Sequence, residues 1–373
     1  MTVVFISNYL TAHQIPFCLE MRRLLQEGFT FIATEPISQE RLALGWKDEK
    51  GYDFERRSYE SPEQRLQCKK LVFEADAVLL GAANVCWISK RLRKNKSVFY
   101  VTERYYKVKP KWKQYPAMMA SVFYRHNRFL GKPLYVLCAG AFVKQDLESV
   151  HAYYKDAYQW GYFPQMIEYD AQALMQQKNT GEPHLLWCGR FLDWKHPDMA
   201  LRAALFLKKK AVCFHMDMIG SGVMKEELKA FISEKDLSDT VTLHDAMPPD
   251  EIRRYMEKAD IYLATSDRFE GWGAVVNEAM NSGCAVVAAD EIGSVPYLIE
   301  DGINGFVFES GNQTALNTIL LRLIYDTKRC LDTGENAYET VSKTWHAKNA
   351  AVRLVHLLEG KEKAADSGPC SRA

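Results

Sequence analysis

Short apolar runs alternate with longer amphipathic stretches along almost the whole chain. In the first half the runs are Val3 to Ser7, Phe29 to Ala33, Ala77 to Leu80, Ser97 to Val101 and Leu134 to Leu137. In the second they are His184 to Cys188, Val212 to Ile219, Thr240 to Leu243, Ile261 to Ala264 and Ala285 to Ala288. Continuous apolar runs suit strands buried on both faces, and the helical stretches between them supply crossovers. The pattern therefore predicts repeated βαβ units, with parallel sheets covered by helices. The polar, Gln-rich stretch from Ala171 to Glu182 separates the two series and reads as an interdomain linker.

The expected fold class is α/β, with two Rossmann-like, doubly wound parallel-sheet domains over 1–168 and 183–343, facing each other across a deep cleft. A last helix over about 344–358 follows the second sheet and can pack back on the first domain. The tail over 360–373 is small and polar and is expected to be disordered. Composition agrees with two cored domains: 373 residues, 47% apolar, net charge +1. At about 150 residues per domain, each half is large enough to bury a core without disulfides or metals. Collagenous and disordered classes are excluded. No run approaches the roughly 20 apolar residues that span a bilayer. The start, Met1-Thr2-Val3-Val4, lacks the basic region of a signal peptide, so a cytoplasmic location is expected.

Nine cysteines occur without a Cys-x-x-Cys pair, which suits buried free thiols in a reducing compartment. The nearest approach to a metal-ligand pair is Cys213 with His215, which alternate on an apparent strand. No metal site is expected from it.

Ligands of doubly wound sheets bind outside the carboxyl ends of the strands. After Ile261 to Ala264 the text runs Thr265-Ser266-Asp267-Arg268-Phe269-Glu270-Gly271-Trp272-Gly273-Ala274, then a helix carrying Glu278. Gly271 and Gly273 let a ligand approach the main chain, and the helix start offers unpaired amide groups. Glu270 and Glu278 flank this loop, and carboxylates accept hydrogen bonds from vicinal hydroxyls, suiting a sugar at one end and a ribose at the other. Taken alone, such a pair reads equally as two solvated helix-end carboxylates. The first strand of the same half ends in Gly189-Arg190, with Lys195 five residues after the arginine. Two such cations can clamp a diphosphate. Gly220-Ser221-Gly222 and His244-Asp245-Ala246-Met247 follow the next two strands, either as contacts to phosphate, sugar or base or as plain βα turns.

Taken together these pieces resemble the nucleotide-sugar domain of retaining GT-B glycosyltransferases of family 4, the group 1 type, over about 184–310. The matching text is Gly189-Arg190 with Lys195, Gly220-Ser221-Gly222, Glu270 and Glu278 separated by seven residues, Gly271-Trp272-Gly273, and Asp301-Gly302-Ile303-Asn304-Gly305. The resemblance implies a GT-B architecture and a retaining, metal-independent hexosyl transfer from a nucleotide sugar. It places Arg190 and Lys195 on the donor diphosphate, Glu270 and the amides near Gly271 to Ala274 on the sugar, and Glu278 on the ribose. Gly189, Gly220, Ser221, His244, Met247, Phe269, Gly271, Trp272 and Gly273 join them as donor-binding candidates. The implied donor is a UDP-sugar first and a GDP-sugar second, with no cofactor. The absence of an Asp-x-Asp triplet fits charge stabilisation by arginine and lysine in place of a metal.

The first half departs from that pattern. Where relatives carry a Gly-rich turn after the first strand, this chain has Ser7-Asn8-Tyr9-Leu10-Thr11-Ala12-His13. Ser7, Asn8 and His13 are the acceptor-side candidates, each with a packing or capping role as its alternative. Relatives place a histidine after a later strand, where this chain has Glu103, expected either as a catalytic residue or in a structural pair with Arg104. Segment 87–132 holds thirteen Lys and Arg against the single acidic Glu103, interleaved with aromatics. Such a segment suits an anionic membrane surface, so a peripheral place on the inner face of the membrane and a saccharide or lipid-linked acceptor are expected, as in surface polysaccharide or glycolipid assembly. A solvated basic face is the plainer reading, and no nucleic acid is expected, since no binding module for it accompanies the charge. A nucleotide-sugar epimerase or hydrolase, or a sugar-nucleotide-binding protein without turnover, are the alternative functions.

Overall fold

The computed structural model describes residues 1–38, 51–108, 111–178, 181–361 and 367–373. They divide into two compact units, Met1–Gln165 with Ala347–Ala373, and Met166–His346. The strands of the first unit are β1 (Val3–Ser7), β2 (Phe29–Ala33), β3 (Glu55–Arg57), β4 (Ala77–Leu80), β5 (Val98–Thr102), β6 (Leu134–Ala139) and β7 (Asp156–Trp160). They form one parallel sheet in the order β3-β2-β1-β4-β5-β6-β7. Every residue of β1 is buried, as its unbroken apolar run requires. On one face Val4, Ile6, Ile32, Val78 and Leu80 join Ile88 and Leu92 in a single cluster. On the other, Phe5 meets Phe31 edge-on at 5.3 Å and Phe17 at 6.2 Å, and Phe17 meets Trp160 at 5.2 Å. Each such side chain contributes about 1.5–3 kcal/mol by leaving water. The final helix, Ala347–Leu358, lies in this unit and packs on Ile15–Leu25.

The second unit holds β8 (His184–Cys188), β9 (His215–Ile219), β10 (Val241–His244), β11 (Ile261–Ala264), β12 (Ala285–Ala289) and β13 (Phe306–Phe308). These too are all parallel, in the order β10-β9-β8-β11-β12-β13. The strand order reverses between β8 and β11, so the loops after those two strands border the crevice where such sheets take ligands.

Two expectations are corrected. The stretch read as a linker instead forms a helix, Ala171–Gln177, within the second unit. Asp170 caps it, its carboxylate accepting from the Ala173 amide at 3.0 Å, and the Ala, Gln, Leu and Met that follow are good helix formers. Lys178 is buried and donates to the carbonyls of Met256 and Ala259 at 3.0 and 2.6 Å, while residues 179 and 180 lie outside the described residues. The end of the chain, expected to be disordered, docks along β7. The amide of Cys370 donates to the Gln159 carbonyl at 2.8 Å, that of Gln159 to Ser371 at 2.8 Å, and Cys370 is buried. Residues 362–366 of that tail lie outside the described residues. Among the described residues no helix is long and apolar enough to cross a membrane.

Candidate functional site

The crevice of the second unit is built by stitching two loops together. Trp187, near the end of β8, donates its indole N–H to the Thr265 hydroxyl at 2.9 Å, and that hydroxyl donates to the Lys195 carbonyl at 2.7 Å, with the His196 carbonyl at 3.0 Å. The Asp267 amide donates to the Trp194 carbonyl at 3.0 Å. His196, in a left-handed conformation, turns the chain into the helix Pro197–Lys209, and its Nε2 lies 3.2 Å from the Asp267 carboxylate. The stitching brings Lys195 and Glu270 into an ion pair, with both side chains largely buried. Both line a small cavity with Trp187, Thr265, Gly273 and Ile292. Arg190, exposed at the rim, holds its guanidinium 5.7 Å from the Trp194 ring centre, and Lys195 approaches the same ring at 4.8 Å.

A second seam joins the loops after β8, β9 and β10. The Gly189 amide donates to Ile219 at 3.0 Å, Phe191 to Ser221 at 2.8 Å and Gly220 to His244 at 3.2 Å. A Cβ on Gly220 would lie 1.9 Å from the Gly189 carbonyl oxygen, so only glycine allows this approach of backbones. Ser221 is exposed and Met247 half-buried on these loops.

Gly273, at φ +86°, is the residue before the helix Ala274–Asn281, and a Cβ there would lie 2.9 Å from Ile292 Cγ2. Of that helix's first-turn amides, that of Val276 donates to the Gly273 carbonyl at 2.9 Å, and those of Ala274 and Val275 have no acceptor within the helix and are donors at its positive end. Glu278 sits one turn in. Burial pushes its carboxyl up, opposed by Arg253. Desolvation pushes the thiol of Cys188 up to about 12, raised further by Glu278 and opposed by Lys195. Arg190, Lys195, Glu270, Glu278, Gly189, Gly271 and Gly273 thus occupy the loop ends and helix start at the β8–β11 crevice. Phe269 is half-buried on the same loop, its amide donating to Asp267 at 2.9 Å.

Two donor-side candidates have side chains directed elsewhere. Trp272 is 1% exposed; its indole donates to Asn277 Oδ1 at 2.8 Å and packs 5.9 Å from Trp345, which makes it a core residue under the loop. His244 points its Nε2 at Asp217 Oδ1, 2.5 Å away, and sets its ring 5.2 Å from Tyr255. Thr265 and Trp187, which hold the crevice together, escape the sequence reading because a threonine after a strand and a tryptophan within one carry no signal of such a bond.

In the first unit, Glu103 follows β5 and accepts a hydrogen bond from the Tyr162 phenol. His13 stacks on Tyr162, ring centres 6.2 Å apart and nearly parallel. Burial lowers the His13 pKa, and burial with Glu103 alongside raises that of Tyr162 well above its ordinary value. Arg104 pairs with buried Asp146 at 3.2 Å instead of with Glu103. Ser7 is buried, its hydroxyl accepting from the Ala82 amide at 3.2 Å and donating to Asn8 Oδ1 at 3.1 Å; that same Asn8 oxygen takes the Tyr9 amide at 2.9 Å. Ser7 and Asn8 therefore fasten the β1 loop, and His13 alone of the three joins Glu103. Tyr162, which connects them, was not visible from the sequence.

The basic segment divides in the same way. Arg91 is buried and donates to the carbonyls of Val72, Ala75, Asp76 and Ser97, and burial lowers its pKa to about 10. Arg128 donates to Ser89 at 2.9 Å. Lys111, Lys113 and Arg125 are exposed on and before the helix Tyr115–Arg125, beside Trp112 at 77%, Tyr115 at 50% and Phe123 at 61% exposure. Lys109 lies outside the described residues.

Residues 171–340 match the family model described as glycosyl transferases group 1. Over 144 residues the chain is 36% identical to the amylovoran biosynthesis glycosyltransferase AmsK of Erwinia amylovora, covering 37% of this chain and 35% of that protein. Over 203 residues it is 26% identical to a GDP-mannose-dependent alpha-(1-6)-phosphatidylinositol monomannoside mannosyltransferase of Mycolicibacterium smegmatis, covering 52% and 53%. The chain spans only about a third to a half of the length of these curated relatives. Among solved structures, HepE of Anabaena in complex with UDP superposes with a TM-score of 0.69 at 14% identity, covering 96% of this chain and 100% of that one. Sucrose-phosphate synthase of Thermosynechococcus elongatus gives 0.66 at 15%, covering 96% and 99%. The two parallel-sheet units are those of the GT-B fold.

Proposed function

We propose that this chain, whose second unit matches group 1 glycosyltransferases, is a retaining, metal-independent glycosyltransferase. It moves a sugar from a nucleoside diphosphate sugar to a saccharide or lipid-linked acceptor in polysaccharide or glycolipid assembly. The observation that carries this reading is the Lys195–Glu270 pair at the β8–β11 crevice, with Arg190 at its rim and the Ala274 helix start beneath. Donor binding separates the pair. Lys195 turns to the diphosphate, and Glu270 accepts hydroxyls of the sugar. Arg190 supplies the planar fork that suits phosphate oxygens, and Glu278 accepts the ribose diol. As the glycosidic bond breaks, charge grows on the departing diphosphate, and cations already aimed there stabilise the transition state more than the ground state. A donor phosphate oxygen takes the proton of the acceptor hydroxyl, which enters on the face the leaving group vacates, so the anomeric configuration is retained. The first unit contributes the acceptor site, with Glu103, held by Tyr162 and flanked by His13, as its reactive carboxylate.

HepE was solved with UDP, and the Mycolicibacterium relative uses GDP-mannose, so UDP-sugars and GDP-sugars are the donors to try. The test combines a thermal-shift screen of UDP, GDP and their sugar conjugates, with and without magnesium, with NMR of the product anomer. Expected are a metal-independent rise with one nucleotide and a product of the donor's configuration. Arg190→Ala lowers kcat/KM by about 10²–10³ while the fold persists. Near-normal turnover in that variant removes the clamp assignment.

Exposed Trp112, Tyr115 and Phe123, with Lys111, Lys113 and Arg125, on and before the helix Tyr115–Arg125, support peripheral attachment to an anionic, inner-face membrane, with rings at headgroup level and cations toward the lipid charge. Cosedimentation with phosphatidylglycerol vesicles that weakens with salt and with Trp112→Ala supports it; equal binding to neutral vesicles overturns it.

A further inference from the structure

Away from the crevice loops, on one face of the second sheet, four side chains from three adjacent strands converge. His184 opens β8, directly beside His215 at the start of β9; Asp217 lies two residues along β9 and His244 ends β10. The carboxylate of Asp217 is the centre. His184 Nε2 lies 2.7 Å from one of its oxygens, and His244 Nε2 lies 2.5 Å and His215 Nε2 3.4 Å from the other. The donor atoms of His184, His215 and Asp217 all fall within 4.8 Å of one another. Asp217 is 5% exposed, and the flanking histidines are half-buried.

We propose that His184, His215, His244 and Asp217 bind one divalent transition-metal ion of the zinc type. Three imidazole nitrogens with one carboxylate are the ligand set such ions take in tetrahedral sites, whereas magnesium and calcium call for oxygen ligands. Ligand bonds of about 2.0–2.2 Å put neighbouring donor atoms of a tetrahedral shell a little over 3 Å apart, within the 4.8 Å that bounds the donor atoms of His184, His215 and Asp217, and His244 reaches the same carboxylate. The arrangement also resolves a burial problem. A divalent ion supplies the positive charge that a carboxylate removed from water takes beside it. A carboxylate accepts and never donates, so the nitrogens of His184 and His244 that face it carry protons. Metal entry displaces the proton from each of those nitrogens, and in a neutral imidazole it passes to Nδ1. His244, offered by the sequence as a donor contact, turns its side chain to Asp217, and His184, His215 and Asp217 have no part in the donor or acceptor chemistry above, so the ion braces β8, β9 and β10 beneath the loops that carry Arg190 and Ser221.

The test uses cobalt(II) as the probe on the full chain after treatment with EDTA, at pH 7.5. Expected are visible absorption of tetrahedral cobalt saturating at one equivalent, and displacement by zinc. His215→Gln changes the most exposed of the three histidines, so its fold is least at risk, and it weakens cobalt binding by at least about tenfold. Asp217→Asn does the same or more; if that variant fails to fold, His215→Gln decides alone. The proposal is overturned if no stoichiometric uptake occurs, or if cobalt binds the His215→Gln chain as tightly as the parent.

Discussion

Replacing Lys195 by methionine separates the two roles that the lysine holds in the crevice. Its ammonium pairs with Glu270, and the two side chains are 13% and 16% exposed. Removing one partner of a fully buried pair costs about 3–5 kcal/mol, and of an exposed pair about 0–1 kcal/mol. At these exposures Lys195→Met should lower stability by about 2 kcal/mol, because Glu270 is left without its partner in a largely buried site. A charged hydrogen bond to phosphate contributes about 1.5–3 kcal/mol, so the same variant should bind the diphosphate about 10- to 150-fold more weakly. Urea denaturation reads the first quantity, and titration calorimetry with UDP and GDP reads the second. The double variant Lys195→Met/Glu270→Gln distinguishes the causes. It removes the unpaired carboxylate and recovers most of the lost stability, but it does not recover nucleotide affinity. Equal nucleotide affinity in the parent and Lys195→Met, alongside the expected loss of stability, would make the lysine a structural partner of Glu270 and refute its place on the diphosphate.

Further outcomes follow from single contacts. Gly220→Ala drives a methyl into the Gly189 carbonyl and should cost about 3 kcal/mol, seen as a lowered urea midpoint for the second unit. Tyr162→Phe removes the phenol that donates to Glu103 and should cost about 1–3 kcal/mol in the first unit, with the far-UV spectrum unchanged. His126, whose pKa burial lowers to about 4, is neutral in the fold while the unfolded chain protonates near 6.5. The unfolded state then binds more protons, so stability falls as pH drops from 6.5 toward 4, by about 2 kcal/mol at pH 5. A His126→Phe chain should show less of that slope in denaturation at pH 7 and pH 5, and an unchanged slope assigns the acid sensitivity elsewhere.

What the sequence revealed of the fold follows from where each strand lies in its sheet. Central strands such as β1, β4, β11 and β12 are buried on both faces and read as unbroken apolar text. The three strands left unassigned lie at the edges of the sheets, where burial is incomplete. They are β3, written Glu-Arg-Arg, β7, written Asp-Ala-Tyr-Gln-Trp, and the three-residue β13. The run begun at Val212 becomes a strand only at His215, because Val212 to Phe214 lead into the sheet before its first ladder bond.

The site divides along a different line. Backbone-driven features were legible, since a glycine that must lie against another carbonyl, or a helix start after a strand, leaves a mark in one short stretch of text. Side-chain destinations were not, because they depend on partners far away in the chain. Glu103 illustrates the difference. Its neighbour Arg104 was the obvious ion-pair partner by adjacency, yet consecutive residues on an extended segment point to opposite sides. Arg104 accordingly reaches Asp146, forty-two residues on, while Glu103 takes the phenol of Tyr162, fifty-nine residues on. The same rule of alternation places His215 and Asp217 on one face of β9 and lets His184 and His244 reach that face from the flanking strands. A spacing of two within a strand was visible in the text; its completion by two histidines on neighbouring strands became visible only once the sheet order was known.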